Sequence, residues 1–123
     1  MEVFGDRWSM VIIRDIMFEN KRYFREWLQS EEKIASNILA SRLQTLEEKE
    51  IITKSDHPDS KAKGLYKLTQ KGIDLLPVMI EINLWTEKYY NVTAERKAML
   101  KEVKKDKDAF IKAAIKELKK SRN

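Results

Sequence analysis

The side chains best suited to chemistry are short, polar and set at helical spacing: Ser36, Asn37, Ser41, Gln44 and Thr45. At 100° per residue, Asn37, Ser41, Gln44 and Glu48 share one side of a helix, flanked by Ala40 and Thr45. Leu39, Leu43 and Leu46 fall on the opposite side at i, i+4 and i+7. A face meant only for water more often carries Lys and Glu. A small strip, uncharged near its start, suits the donors and acceptors that base edges present in the major groove of duplex DNA. Asn37 and Gln44 each carry an amide able to read adenine bidentately. Ser36 is expected to cap the helix, whose positive end also favours a phosphate. Arg42 lies beside the apolar stripe, so it divides between a DNA contact and an ion pair. Asp15, Glu47 and Glu48 are the acids in reach for that pair.

Basic side chains surround this strip in sequence. Lys54, Lys61 and Lys63 bracket a turn at His57, Pro58, Asp59 and Ser60, and Lys is a flexible point charge suited to phosphate. Lys21, Arg22 and Arg25 flank a short helix and could grip the backbone from the other side. Enzyme chemistry finds no footing. There is no glycine-rich phosphate loop, the lone histidine His57 has no partner for a triad or a metal cage, and the 123 residues contain no cysteine. No catalytic, cofactor or metal residue is therefore expected.

A series of helices and one hairpin must position these groups. A helix is expected at 7–17, with Asp6 as N-cap and Trp8, Val11, Ile12 and Ile16 at helical spacing. Asn20 sits where the chain turns. A short helix at about 23–29 should bury Phe24, Trp27 and Leu28, and the polar-stripe helix at about 36–48 follows it. Residues 51–56 and 64–68 read as two strands around the basic turn. Thr69 should cap a long helix running to about residue 91 and bent at Pro77. Thr93 should cap a last helix, with Asp106 as an internal restart. Helix, helix, helix, hairpin, helix is the order of an α+β winged helix-turn-helix, with a two-stranded wing at about 51–68 and a long C-terminal dimerisation helix. Residues 1–93 are assigned to that domain and 94–123 to a basic helical extension.

Four separated stretches resemble HxlR-type transcriptional regulators. They are Gly5-Asp6-Arg7-Trp8 with Ile12-Ile13-Arg14-Asp15-Ile16, the run from Ile34 to Leu43, Tyr66-Lys67-Leu68-Thr69-Gln70-Lys71-Gly72, and Leu75-Leu76-Pro77-Val78 with Trp85. The resemblance covers 4–90 in order. It implies a bacterial or archaeal regulator that binds a pseudo-palindromic double-stranded DNA operator as a homodimer. The family pattern places a cysteine in a segment before the first helix; with none here, thiol sensing is not carried over.

The helix at 70–91 is apolar on more than one face, so one face can cover its own domain and another a second copy. The expected homodimer interface is Trp8, Leu75, Val78, Met79, Ile82, Trp85 and Tyr89. Trp8, Trp85 and Tyr89 also raise an unidentified small-molecule effector. Charge is unevenly placed: residues 1–93 hold 14 Lys+Arg against 15 Asp+Glu, and 94–123 hold 11 against 5. The near-neutral first part argues for the rival reading, a winged-helix protein-interaction module without specific DNA binding. The extension has three readings: more dimer interface, a basic arm for DNA, or an anionic-membrane contact, the last disfavoured by its thin apolar face. No apolar run is long enough to cross a membrane and no leader pattern opens the chain, so a cytoplasmic location is expected.

Overall fold

The computed structural model describes residues 6–30, 32–55 and 65–121; Lys61, Lys63 and the turn at 57–60 lie outside the described residues. The chain forms two compact units, divided between Gly72 and Ile73.

The first unit opens with α1 (Arg7–Phe18), started by Asp6, whose carboxylate accepts from the Ser9 amide at 3.0 Å and the Ser9 hydroxyl at 2.8 Å. Ile12, Ile13 and Ile16 put its apolar side into the core. The helix is turned off at Asn20, in the left-handed region at φ 55°. The Asp15 carbonyl there accepts from both the Glu19 and Lys21 amides at 3.1 Å. In α2 (Phe24–Leu28) the Glu26 carboxylate accepts from the Arg22 and Tyr23 amides at 2.8 and 2.9 Å. Trp27 is buried edge-on to Tyr66, with ring centroids 6.1 Å apart. Leu28, expected in the core, is instead exposed; a helix of five residues has one inward face, and Trp27 occupies it.

In α3 (Ser36–Glu48), Leu39, Leu43 and Leu46 are buried as the spacing requires. Ser36 does not cap it. Ala35 holds the cap position, at φ −66° and ψ 141°, and Ser36 is the first helical residue. The register is set by apolar burial: Ile34 before the cap and Leu39 at the fourth helical position are both buried, the spacing of a hydrophobic staple. The helix ends at Glu50, left-handed at φ 62°, and the Ile51 amide returns to the Leu46 carbonyl at 2.9 Å. Then β1 (Ile52–Ser55) pairs antiparallel with β2 (Leu65–Leu68), Ile52 opposite Leu68 and Ser55 opposite Leu65. Two strands alone are marginal. Ile52, Tyr66 and Leu68 anchor them in the core, and the Tyr66 amide donates to the Arg22 carbonyl at 2.8 Å.

The long helix expected from Thr69 onward is two helices. Thr69 does cap the first, α4 (Gln70–Ile73), accepting from the Gly72 amide at 3.1 Å. The second, α5 (Leu76–Tyr89), starts afresh with Pro77 in its first turn, where a missing N–H costs nothing. The proline therefore marks a start, and the expected bend is a break.

In the second unit α5 packs on α6 (Ala94–Lys105) and α7 (Lys107–Ser121). Thr93 caps α6 by accepting from the Arg96 amide at 3.2 Å. Asp106 ends α6 in extended conformation and restarts the chain, its carboxylate accepting from the Ala109 amide at 3.1 Å. Leu100 and Val103 are buried, and polar ties surround them. Arg96 donates to Asn83 Oδ1 at 2.7 Å, Lys107 Nζ meets Glu81 at 2.5 Å, and Lys104 pairs with Glu87. Among the described residues no helix is long and apolar enough to cross a membrane.

Candidate nucleic-acid interface

The polar strip of α3 is open along its length. Ser36, Asn37, Ala40, Ser41, Gln44 and Glu48 are exposed, and Thr45 is half-buried. Seven residues at 1.5 Å of rise put Asn37 and Gln44 about 10 Å apart along the helix axis. Gln44 leans on Glu48 at 3.3 Å, an exposed contact that is cheap to give up. The Thr45 hydroxyl donates to the Ser41 carbonyl at 3.0 Å, which leaves its lone pairs for a ligand. With Ala35 at the cap, the Ser36 hydroxyl has no capping duty and faces solvent at the positive end of the helix.

Arg42 does form an ion pair, but with none of the expected acids. Its Nε meets Asp6 Oδ2 at 2.7 Å, and Nη1 reaches Ser41 Oγ at 3.3 Å. The N-cap of α1 is thereby tied to the middle of α3. Burial alone pushes the Asp6 carboxyl up. The Ser9 hydroxyl and amide and the Arg42 guanidinium outweigh it, so the carboxyl sits below the ordinary carboxylate range. Sequence reasoning found Asp6 as a cap but not as the partner of a residue 36 positions away.

Asp15 is occupied elsewhere. Fully buried, it accepts from Arg14 Nε and Nη2 at 2.9 and 2.7 Å and from Lys21 Nζ at 2.9 Å. Arg14 Nη2 also meets Glu32 at 2.5 Å, close before α3. Burial pulls the Arg14 guanidinium down, but Glu32 and Asp15 together hold it above its ordinary value. This four-charge cluster fixes α1 against the turn that leads into α3. It also withdraws Lys21 from the expected backbone grip. Arg22 is withdrawn as well: its Nη1 donates to the Ile16 and Lys21 carbonyls at 3.1 and 3.0 Å. Of that trio only Arg25 is exposed. On the wing, Lys54 is exposed on β1, its Nζ 6.0 Å from the Tyr66 ring.

The residues expected at a dimer interface divide by exposure. Val78, Ile82, Trp85 and Tyr89 form one stripe on α5, at 42, 43, 57 and 61% exposure. Tyr90, which pattern reading missed beside Tyr89, is exposed too, and both tyrosine rings pack on Trp85 at 5.8 and 5.4 Å. Leu75 is half-buried, whereas Met79 is 4% exposed and so already covered within one chain. Trp8, in the first unit, is half-buried beneath the Arg7 guanidinium, 4.7 Å from its ring.

A sequence model of the HxlR-like helix-turn-helix family matches residues 3–94. The chain is 35% identical over 85 residues to the HTH-type transcriptional regulator YodB of Bacillus subtilis, covering 69% of this chain and 75% of YodB. It is 30% identical over 91 residues to the HTH-type transcriptional regulator BH0655 of Halalkalibacterium halodurans, covering 74% of this chain and 80% of that one. The crystal structure of PA1607 superposes with TM-score 0.66 at 36% identity, over 76% of this chain but 63% of PA1607. Reduced YodB superposes with TM-score 0.59 at 30% identity, over 72% of this chain and 85% of that structure. The helices, the antiparallel hairpin and these relatives together make the fold a winged helix-turn-helix and the chain a DNA-binding regulator, not an enzyme. It belongs to the HxlR-like helix-turn-helix family of transcriptional regulators.

Proposed function

We propose that the chain is a sequence-specific regulator that works as a homodimer, with α3 in the major groove of an operator and the wing on the adjoining backbone. The carrying observation is the α3 strip, which stays exposed and nearly uncharged while Leu39, Leu43 and Leu46 are buried on the opposite side of the helix. Asn37, Gln44, Ser41 and Thr45 supply base-edge groups, with apolar contact from Ala40. Ser36 at the helix start, Lys54 on β1, and Lys61 and Lys63 in the sequence between the two strands supply phosphate contacts. Arg42, braced by Asp6, keeps its Nη2 for an anion. Enrichment and sequencing of DNA bound by the purified protein should yield a two-fold pattern. Gln44→Ala is then expected to relax choice at one base pair per half-site by roughly tenfold. An unchanged consensus would remove Gln44 from base readout, and no enrichment over random duplex would overturn the reading.

Two recognition helices must sit about 34–36 Å apart to meet successive grooves. The stripe Val78, Ile82, Trp85 and Tyr89 is large and apolar enough to join two copies. The double variant Ile82→Glu with Trp85→Glu places two charges on a half-exposed face, so one chain folds while the pair separates. Sedimentation at micromolar concentration is expected to give half the parent mass, with operator affinity lost together with the dimer. A parent that already sediments as a monomer would contradict this assembly. A regulator that binds chromosomal DNA in a bacterial or archaeal cell acts in the cytoplasm, and this reading places the chain there.

A further inference from the structure

The family match ends at residue 94, and it is beyond that point that the chain's positive charge lies. Residues 1–93 hold 14 basic against 15 acidic side chains, so that part gives no long-range attraction to a polyanion. Residues 94–123 hold 11 against 5. Residues 94–121 are not a loose arm: α6 and α7 are helices packed on α5 and on each other.

The packing sorts the lysines by face. On α7, Phe110, Ile111, Ala114, Ile115 and Leu118 are half-buried and point one way. Lys107 lies on that inward side and is used by Glu81. Lys112, Lys116 and Lys119 fall opposite, within about 60° of arc at helical spacing. All three are exposed, with no ion-pair partner among the described residues; Asp108, one turn before Lys112, is the acid on the same arc. On α6, Lys104 is drawn to Glu87 and Lys105 to Glu102, while Lys97 and Lys101 stay exposed and unpaired among the described residues. A helix that lies on a membrane needs a free apolar face. The apolar face of α7 is spent on its own unit, which leaves charge as the recognisable feature. Lys112, Lys116 and Lys119 follow one another at about 6 and about 4.5 Å along the helix axis, close enough for flexible side chains to reach neighbouring phosphates.

We propose that the outward lysine face of α7, with Lys97 and Lys101 of α6, is a second, sequence-independent contact for the phosphate backbone of duplex DNA. It extends the regulator reading but does not depend on how α3 docks. Its effect is on affinity and salt dependence for any duplex, whereas α3 governs preference among sequences.

The test uses the full chain carrying Lys112→Gln, Lys116→Gln and Lys119→Gln together, beside a Lys→Arg triple variant at the same positions. Affinity is measured for the enriched operator and for an unrelated duplex of about 30 base pairs, between about 50 and about 200 mM salt. The Gln variant is expected to lose at least about tenfold at low salt on both duplexes. Its slope of log K against log salt should be shallower by about 2–3, with sequence preference and melting temperature unchanged and the Arg variant like the parent. An unchanged slope on both duplexes would overturn the proposal and return the face to solvent. A variant that keeps its duplex slope but no longer sediments with phosphatidylserine vesicles would overturn it in favour of a lipid surface. Loss of sequence preference in the Gln44→Ala protein with a normal salt slope speaks to α3 alone, so the two readings fail separately.

Discussion

Gly72→Ala is expected to lower folding stability by about 3 kcal/mol, at the upper end of what overpacking usually costs. A Cβ at this position would stand 2.3 Å from the Ile51 carbonyl oxygen and 2.9 Å from Leu68 Cδ2. The leucine tip can turn away, but the carbonyl cannot. It lies at the junction where α3 passes into β1, and it accepts from the Thr69 amide at 3.0 Å. Thr69 in turn caps α4 through Gly72 itself. Relief therefore requires α4 to slide off the base of the wing, giving up the cap and the hydrogen bond together. Thermal unfolding is the measurement, with a fall of about 10 °C expected for a chain of this size. A loss under about 1 kcal/mol would mean that the helix can shift without disturbing the hairpin. Glycine here serves close approach, not an unusual backbone angle.

Asp15→Asn should cost about 2–3 kcal/mol. Asparagine keeps the volume and removes the charge, so packing is nearly constant and the change reads electrostatics. Asp15 is fully buried between Arg14 and Lys21, which are themselves 28 and 20% exposed. Breaking a fully buried pair costs about 3–5 kcal/mol because the remaining charges are left uncompensated. Here the two cations retain some water and Arg14 retains Glu32, so the lower figure applies. Denaturant unfolding of Asp15→Asn, Arg14→Met and the double variant closes a cycle. The pair is expected to couple by more than about 1 kcal/mol. A coupling near zero would make this a surface-type network of little worth. Because Glu32 lies just ahead of α3, operator affinity should fall by more than the unfolded fraction explains.

Much of the local structure was legible from residue type. Asp6, Thr69, Thr93 and Asp106 were identified as helix starts, and each side chain accepts the expected amide. Asn20 was placed at a turn and adopts the left-handed conformation. The two faces of α3 follow from the 3.6 period, and the paired strands from the turn residues between them. Each of these depends on a few neighbouring residues, which is why pattern reading reached them.

The failures share a different character. Ser36 has the right side chain for a cap, but burial of Ile34 and Leu39 moved the helix frame and put Ala35 there. Arg42 found Asp6, not Asp15, because the packing of α1 on α3 brings together residues 36 apart. Lys21 and Arg22 look like surface cations in sequence and are bound internally. Met79 belongs by spacing with its apolar neighbours, yet it is covered while Val78 and Ile82 are not.

The sequence by itself determined where helices and strands form, which side of α3 is apolar, and that the positive charge is concentrated after residue 93. Those are properties of periodicity and composition, carried within a turn or two of chain. Only the tertiary structure decided which charged groups remain available for a ligand. A charge is neutralised by whatever the fold brings within about 3 Å, and that neighbour is set by packing across the chain, which no local pattern encodes.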